Sequence, residues 1–152
     1  MPFVREISVI AARGVDAGLH GRGLPEVARG LVAGSGGLVR LPRRIPEAIA
    51  LEYALTGARM DAATAHRWGL VNRITPDGGA LGAALALAEA ITANAPLSTA
   101  MTKRIIRESR EWPEAEVWDR QRPLVDGVLA SDDATEGARA FAEKRPAKWT
   151  GR

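Results

Sequence analysis

The spacing of apolar residues separates an irregular N-terminal part of the chain from a helical remainder. Ile7, Val9 and Ile10 predict a strand or a short helix near the start. Glycines between positions 14 and 23 then interrupt every period, so residues 11 to 25 are predicted to be irregular. A second glycine-rich stretch, residues 30 to 37, predicts a loop.

From residue 46 onward, helix start and stop signals follow one another closely. Pro46 and Gly57 bound a predicted helix whose apolar face we expect to hold Ala48, Leu51 and Leu55. Further helices are predicted over residues 62 to 68, 79 to 93, 96 to 111, 114 to 130, and from about residue 132 to the break at Pro146. The second two-thirds of the chain is therefore predicted to be mainly α-helical.

Individual residues sharpen these boundaries. Asp61 is expected to cap the helix that stops before Gly69, and Asp132 or Asp133 is expected to cap the last helix. Pro123 lacks a backbone donor and should start, kink or split its helix. A short strand is predicted ahead of the turn at residues 76 to 78, from Leu70, Val71 and Ile74.

Several short motifs occur in a fixed order between residues 23 and 152. They are Gly23-Leu24-Pro25-Glu26, Gly30 to Gly37, Arg40-Leu41-Pro42-Arg43, Leu55-Thr56-Gly57, Asp61-Ala62, Gly69-Leu70-Val71-Asn72, and a tail with Glu136-Gly137, Ala140-Phe141, Glu143-Lys144-Arg145 and Trp149. In this order the motifs resemble the enoyl-CoA hydratase/isomerase (crotonase) family. The match departs from the usual family pattern at Arg22, at Val32-Ala33 and at Leu38-Val39.

The resemblance implies an α/β protein in two parts. Residues 1–78 would be a remnant of the crotonase-like ββα spiral with its Gly-rich loop. Residues 79–152 would be the C-terminal helical region that makes trimer and CoA contacts. Family members are usually almost twice this long, and the glycine-rich segment that supplies one oxyanion donor is not visible. We therefore expect an N-terminally truncated portion or a split paralogue.

The resemblance also implies catalytic carboxylates. Glu26 matches the family glutamate that, with a second glutamate, adds water across a trans-2-enoyl thioester, work that needs a carboxyl with a pKa moved toward neutrality. Glu6 precedes Glu26 by the spacing of the first family glutamate, although the residues between them fit the family poorly. Taken alone, each glutamate is more simply explained as a surface carboxylate.

A ligand-contacting pair is implied near the end of the chain. Phe141 and Lys144 are three residues apart and are predicted to share one helix face. By resemblance, the aromatic ring would lie beside the adenine of CoA and the ammonium near a phosphate. The alternative is a core phenylalanine and a lysine that complements the helix dipole.

The composition restricts the kinds of site that the chain can form. The chain has 152 residues, 46% of them hydrophobic, a net charge of +3 and no cysteine, which fits a globular domain without disulfides or thiolate zinc. His20 and His66 are far apart and lack carboxylates at ligand spacing, so no metal is expected. No apolar run is long enough to span a membrane, and the basic residues do not alternate with aromatics as in a nucleic-acid surface.

The function implied by the resemblance is hydration of enoyl-CoA thioesters in fatty acid or acyl-CoA metabolism, with polarisation of the thioester carbonyl by two backbone N–H groups. CoA is part of the substrate, and no further cofactor is expected. A cytoplasmic homo-oligomer, trimer or hexamer, is expected, or a hetero-oligomer with a paralogue. The alternative is an inactive chain that binds CoA or a full-length crotonase subunit, and isomerisation, dehalogenation or decarboxylation on the same scaffold also stay open.

Overall fold

A computed structural model describes residues 9 to 11 and 23 to 152, and the ordered elements among them are mainly helical. The strands are β1 (Val9–Ala11) and β2 (Arg73–Thr75). The α-helices are α1 (Gly37–Arg40), α2 (Glu47–Thr56), α3 (Ala62–Arg67), α4 (Ala80–Thr92), α5 (Pro96–Glu108), α6 (Val117–Leu129) and α7 (Asp132–Ala142), with 3₁₀ helices at Pro25–Arg29, Ser109–Glu111 and Glu114–Glu116.

The chain forms two compact units, Met1–Leu87 and Ala88–Arg152. The division falls within α4, later than the boundary after residue 78 that the sequence predicts. The spiral and ligand-contact roles assigned to the two parts stay predictions.

The first unit has a small core around α2 and α3. Ile45, Ala50, Met60, Ala65 and Val71 are each at most 5% exposed and pack together. Asp61 caps α3 as predicted, since its carboxylate accepts a hydrogen bond of 2.7 Å from the Thr64 N–H. The same bond, aided by Arg67, holds the Asp61 pKa below its ordinary value.

The apolar face predicted for α2 does not pack against the core. Leu51 and Leu55 are 49% and 68% exposed, whereas Ala50 is buried and Ile49 and Tyr53 pack against the core. Apolar residues occupy several faces of α2, so the periodicity leaves its orientation undetermined, and the contacts with the residues on either side of the helix decide it.

A two-stranded parallel sheet lies in the first unit. Val9 pairs with Arg73, Ile10 with Ile74 and Ala11 with Thr75. The strand alternative for Val9 and Ile10 is therefore the correct one, while the strand predicted from residue 70 begins only at Arg73.

Consecutive helices of the second unit pack against each other. Helices α5 and α6 contact each other, and so do α6 and α7. Met101 and Ile105 of α5 and Leu124 and Val128 of α6 line a shared apolar groove of about 140 Å³. The amphipathic face predicted for α5 from Leu97, Met101 and Ile105 is therefore confirmed at Met101 and Ile105.

Pro123 lies inside α6, so the alternatives that it starts or splits its helix are wrong, while the kink stays a prediction. The residues that follow it pack on α5 and offset the one lost backbone bond. A second prediction, for the cap of α7, is wrong. The cap of α7 is Ser131, whose hydroxyl oxygen accepts a 3.0 Å hydrogen bond from the Ala134 N–H, rather than Asp132 or Asp133.

Within the described part of the chain, no single helix is long and apolar enough to cross a membrane. Helices α4 and α5 meet that criterion only when they are counted together across the break between them.

Candidate functional site

Glu26 lies in a short, sharply bounded piece of backbone. Pro25 begins the 3₁₀ helix, and Gly30 ends it in the left-handed region with φ of 70°. The backbone carbonyl of Glu26 accepts a 3.0 Å hydrogen bond from the Leu31 N–H, which closes the turn. Pro25 restricts the backbone where the turn begins, and Gly30 permits the left-handed backbone where it ends. The backbone conformation around Glu26 is therefore closely defined.

Three glycines let neighbouring segments come close to this 3₁₀ helix. A Cβ on Gly23 would lie 2.8 Å from the Ala58 carbonyl oxygen, and one on Gly37 would lie 2.6 Å from a methyl carbon of Leu24. A Cβ on Gly57, which ends α2 with φ of 67°, would touch Pro25 at 3.5 Å. Several segments thus approach the backbone that carries Glu26, most tightly at Gly23, where the neighbouring atoms belong to the main chain.

The carboxyl group of Glu26 is unusual for a partly exposed residue. Its Oε2 atom is buried and has no hydrogen-bond partner among the described residues. Buried polar atoms are nearly always paired with protein, water or ligand. A carboxyl oxygen in this state can accept a hydrogen bond from a bound water and take up its proton, the chemistry that a hydration reaction requires.

The second predicted carboxylate, Glu6, lies outside the described residues, so its relation to Glu26 stays a prediction. Beside the Glu26 segment there is an apolar cleft of about 200 Å³ in the first unit. It is lined by Leu24, Leu38, Leu41, Pro42, Glu47, Ala50, Leu51 and Ala54. Leu24 therefore links the wall of this cleft to the turn that carries Glu26.

Phe141 and Lys144 belong to the second unit and do not share a helix. Helix α7 ends at Ala142, and Lys144 lies beyond it in the left-handed region with φ of 53°. The prediction that both lie on one helix face is therefore wrong, because the chain reverses at Lys144. The two residues nevertheless stay adjacent, since the Lys144 N–H donates to the Phe141 carbonyl at 3.2 Å. Both side chains are exposed, Phe141 by 88%.

A carboxylate on α7 organises the residues after the helix. Glu136, only 11% exposed, accepts hydrogen bonds from both terminal nitrogens of Arg145 at 2.6 and 3.0 Å. It also accepts from Arg139 at 2.7 Å and from the Lys148 backbone N–H at 2.9 Å. These donors, Arg145 first, hold the pKa of Glu136 far below its usual range. The carboxylates of Glu136 and Glu143 in turn raise the pKa of Arg145.

A second carboxylate of α7 holds the last residues of the chain. Asp133 is 2% exposed and accepts from the Thr150 N–H at 2.6 Å, the Thr150 hydroxyl at 3.0 Å and the Gly151 N–H at 2.9 Å. The Thr150 backbone bond is the main cause of the lowered pKa of Asp133. Trp149 completes the attachment, since its ring N–H donates to the Ala93 carbonyl at 2.8 Å.

Sequence reasoning missed Glu136 and Asp133 as organising residues. Apart from Arg139, which is three residues from Glu136 on the same helix, their partners are nine to eighteen residues away and beyond the end of the helix, so no periodic pattern connects them. The one signal in the sequence was that Asp133 and Glu136 lie in the C-terminal segment that carries several of the family motifs. Among the described residues, no cluster of three His, Asp or Glu side chains could hold a metal ion.

Comparison with known proteins gives these sites a context. The family model for enoyl-CoA hydratase/isomerase matches residues 14–152. The chain belongs to the enoyl-CoA hydratase/isomerase family. It is 44% identical over 133 residues to carnitinyl-CoA dehydratase of Citrobacter koseri.

Solved structures of the family share the fold of this chain. An enoyl-CoA hydratase of Mycobacterium tuberculosis H37Rv superposes with a TM-score of 0.80 at 50% identity, over 95% of this chain and 62% of that one. An enoyl-CoA hydratase/isomerase from Mycobacterium abscessus gives 0.83 at 41% identity, over 96% and 58%. The expected crotonase-like fold with a mainly helical C-terminal region is therefore confirmed.

The match to the carnitinyl-CoA dehydratase covers 85% of this chain and 51% of that protein. The chain thus spans about half the length of the curated relatives it matches.

Proposed function

We propose that the chain acts on CoA thioesters as an enoyl-CoA hydratase, adding water to a trans-2-enoyl group or removing it in reverse. Family membership over residues 14–152 supports a reaction of this class. Relatives whose names denote a CoA dehydratase and an enoyl-CoA hydratase support both directions of the same chemistry.

The observation that carries this proposal is the buried Oε2 of Glu26, which has no hydrogen-bond partner among the described residues. In the proposal this oxygen binds the reacting water. As the water oxygen attacks the β-carbon of the enoyl group, Glu26 takes one water proton, and the α-carbon gains a proton to complete the addition. We propose Glu26 for the first of these steps, and Glu6 as a second carboxylate that could take the other.

The thioester carbonyl has to be polarised for water to add. In our proposal two backbone N–H groups bind the carbonyl oxygen and stabilise its developing negative charge. The resemblance implies these donors without assigning them to residues of this chain. The reaction needs no redox group or metal, so the CoA thioester itself is the one small molecule that the proposal requires.

Phe141 and Lys144 are proposed to bind the nucleotide part of CoA. An aromatic ring that is 88% exposed offers a surface for stacking on adenine, and the neighbouring ammonium offers a charge for phosphate. Their adjacency at the C-terminal end of α7 supports this assignment, although they do not share a helix face.

We also propose that the protein works as an oligomer in the cytoplasm, in fatty acid or other acyl-CoA metabolism, without a nucleic-acid or membrane partner. Large apolar side chains that are more than half exposed support association. They are Leu31, Val32, Val39, Leu55, Leu81, Leu85, Ile106, Trp118, Leu129 and Phe141. A homotrimer or hexamer, or a hetero-oligomer with a longer paralogue, would cover such surfaces.

The test is to add the purified chain to a short trans-2-enoyl-CoA and follow the loss of the conjugated thioester absorbance. Glu26→Gln is the test variant. Glu52→Gln, an exposed glutamate of α2, is the matched control. We expect turnover by the wild type and the control, and a loss of about 10²-fold or more in kcat for Glu26→Gln with an unchanged circular dichroism spectrum.

Equal turnover by wild type and Glu26→Gln would refute the role of Glu26. A folded wild type that binds CoA without turnover would instead support the alternative of a non-catalytic CoA-binding chain. In that case, size-exclusion chromatography with a full-length paralogue would show whether the chain completes or joins another subunit.

A further inference from the structure

Lys144 occupies a backbone position that normally suits glycine. Among the described residues it is the one non-glycine residue with a positive φ, 53°. Around it the Lys144 N–H donates to the Phe141 carbonyl and the Arg145 N–H donates to the Ala140 carbonyl, at 3.2 and 3.1 Å. This pair of bonds is the Schellman pattern that ends a helix, and its left-handed residue is usually glycine.

A lysine at such a position is less stable than glycine, because its Cβ crowds the following backbone. Strained residues of this kind persist where the surroundings hold them, and they concentrate at binding and catalytic sites. Elsewhere in the described chain the left-handed residues at helix ends are glycines, as at Gly57 after α2. Backbone preference therefore does not explain why this position holds a lysine.

The surroundings that hold Lys144 are centred on Glu136. Arg145, the next residue along the chain, places both terminal nitrogens on the Glu136 carboxylate at 2.6 and 3.0 Å. Lys148 adds its backbone N–H to the same carboxylate at 2.9 Å. A paired guanidinium–carboxylate contact fixes orientation as well as distance. The chain on the C-terminal side of Lys144 is thus tied to α7, and its N-terminal side is α7 itself.

We propose that Glu136 is a positioning residue: through Arg145 it holds Lys144 in its left-handed conformation beside Phe141, so that the ammonium meets a phosphate group of the CoA nucleotide at a fixed place. This inference rests on the proposed function, because it needs CoA as the ligand. Glu136 itself touches no ligand in this proposal. Because Glu136 orders the turn at Lys144 before CoA binds, less conformational entropy is lost on binding.

The test is a double-mutant cycle on CoA affinity, measured by isothermal titration calorimetry on the full chain. The variants are Glu136→Gln, Lys144→Gly and the double mutant. Glu116→Gln is the matched control, since Glu116 also bonds an arginine, Arg120, but on the surface of the second unit. Pantetheine, which carries the thiol arm of CoA without any phosphate, is the second ligand.

We expect Glu136→Gln and Lys144→Gly each to weaken CoA binding roughly tenfold or more, the size of one charged hydrogen bond. The double mutant should bind no more weakly than Lys144→Gly alone, because Glu136 acts through Lys144. Pantetheine affinity should not change, and Glu116→Gln should bind CoA like the wild type. Lys144→Gly should also melt at a higher temperature than the wild type while binding CoA more weakly.

Other results overturn the inference. Effects of Glu136→Gln and Lys144→Gly that add in full would show that Glu136 does not act through Lys144. Loss of pantetheine affinity in Glu136→Gln would show a general structural role. If Glu136→Gln does not fold, Arg145→Lys, which keeps the charge and loses the paired contact, replaces it in the same cycle. A wild type that does not bind CoA would overturn the proposed function as well, whereas CoA binding with additive effects overturns the positioning role alone.

Discussion

Replacing Gly23 with alanine is expected to displace the backbone that carries Glu26. A Cβ at this position would lie 2.8 Å from the Ala58 carbonyl oxygen and 3.5 Å from the Arg59 Cα. Both neighbours are main-chain atoms, which cannot turn aside as a side chain can. Ordinary contact begins at 3.4 Å, so the two segments have to separate by about 0.6 Å.

The size of the effect follows from this contact. Forcing an extra methyl group into a filled space typically costs about 1–3 kcal/mol. Alanine also restricts the unfolded chain and so returns about 0.4–1 kcal/mol of stability. A net loss near 1.5 kcal/mol would lower the melting temperature by about 3–6 °C in a chain of this size. If the shift reaches Glu26, kcat should fall by about tenfold, because catalytic groups tolerate little displacement.

The assay pairs thermal and urea unfolding with the enoyl-CoA absorbance measurement. Gly82→Ala is the control, because Gly82 is exposed within α4 and a Cβ there would meet nothing within 4 Å. This second glycine-to-alanine change should stabilise the chain by about 0.5–1 kcal/mol, through helix propensity, and leave kcat unchanged. The two glycine-to-alanine substitutions are therefore expected to change the free energy of unfolding in opposite directions.

One outcome would refute this reasoning. If Gly23→Ala is as stable as Gly82→Ala, then the close approach to Ala58 does not constrain the chain. Lower stability with an unaltered kcat would show that the contact supports the fold but does not position Glu26.

Three further predictions concern the core and α7. Met60→Ala, at a site 2% exposed in the core of the first unit, should lose about 2–5 kcal/mol in urea unfolding. Ser131→Ala removes the cap of α7 and should lower the free energy of unfolding by about 1 kcal/mol. Asp132→Ala should change this free energy less. A larger loss for Asp132→Ala than for Ser131→Ala would contradict the assigned cap. Since the pKa of Asp133 is lowered from 3.8, its stabilisation is complete above that pH and is lost as the pH falls through the lower, folded-state value. Asp133→Asn should accordingly be less stable than the wild type at pH 7, and the difference should shrink on acidification below pH 3.8 in pH-dependent melting.

Helix ends were the part of the fold that local sequence predicts well. The bounds of α2 follow from Pro46 and Gly57, and the cap of α3 follows from Asp61, because the necessary bonds lie within one turn. The orientation of α2 did not follow, since its apolar residues occupy several faces and any of these could be buried. Its neighbours Ile45 and Met60 settle that question, and their positions depend on the rest of the fold.

Side-chain competition explains the errors in α7. Ser131, Asp132 and Asp133 are all acceptable caps by residue type. Asp133 is instead engaged by Thr150 and Gly151. A choice among adjacent caps is therefore made by a contact far along the chain, which no window of local sequence contains.

Only part of the candidate site, too, could be predicted from the sequence. The motif around residues 23 to 26 identifies Glu26, but its buried oxygen and the close glycine contacts are properties of the folded chain. For the tail, residue spacing suggested a continuing helix through Lys144. The tie between Glu136 and Arg145, nine residues apart, turns the chain instead.

The parallel pairing of β1 with β2 has a consequence for synthesis. Its register joins Val9 to Arg73, so the first strand emerges from the ribosome long before its partner exists. At about 5–20 residues per second, the intervening chain takes roughly 3–13 seconds to make. During that time both edges of β1 are open to other chains. By contrast, α5 contacts α6 and α6 contacts α7, and these helices are consecutive in the chain. The time between the synthesis of one helix and that of its partner is therefore much shorter. A nascent chain of this protein is therefore most exposed to aggregation before residue 75 has been added.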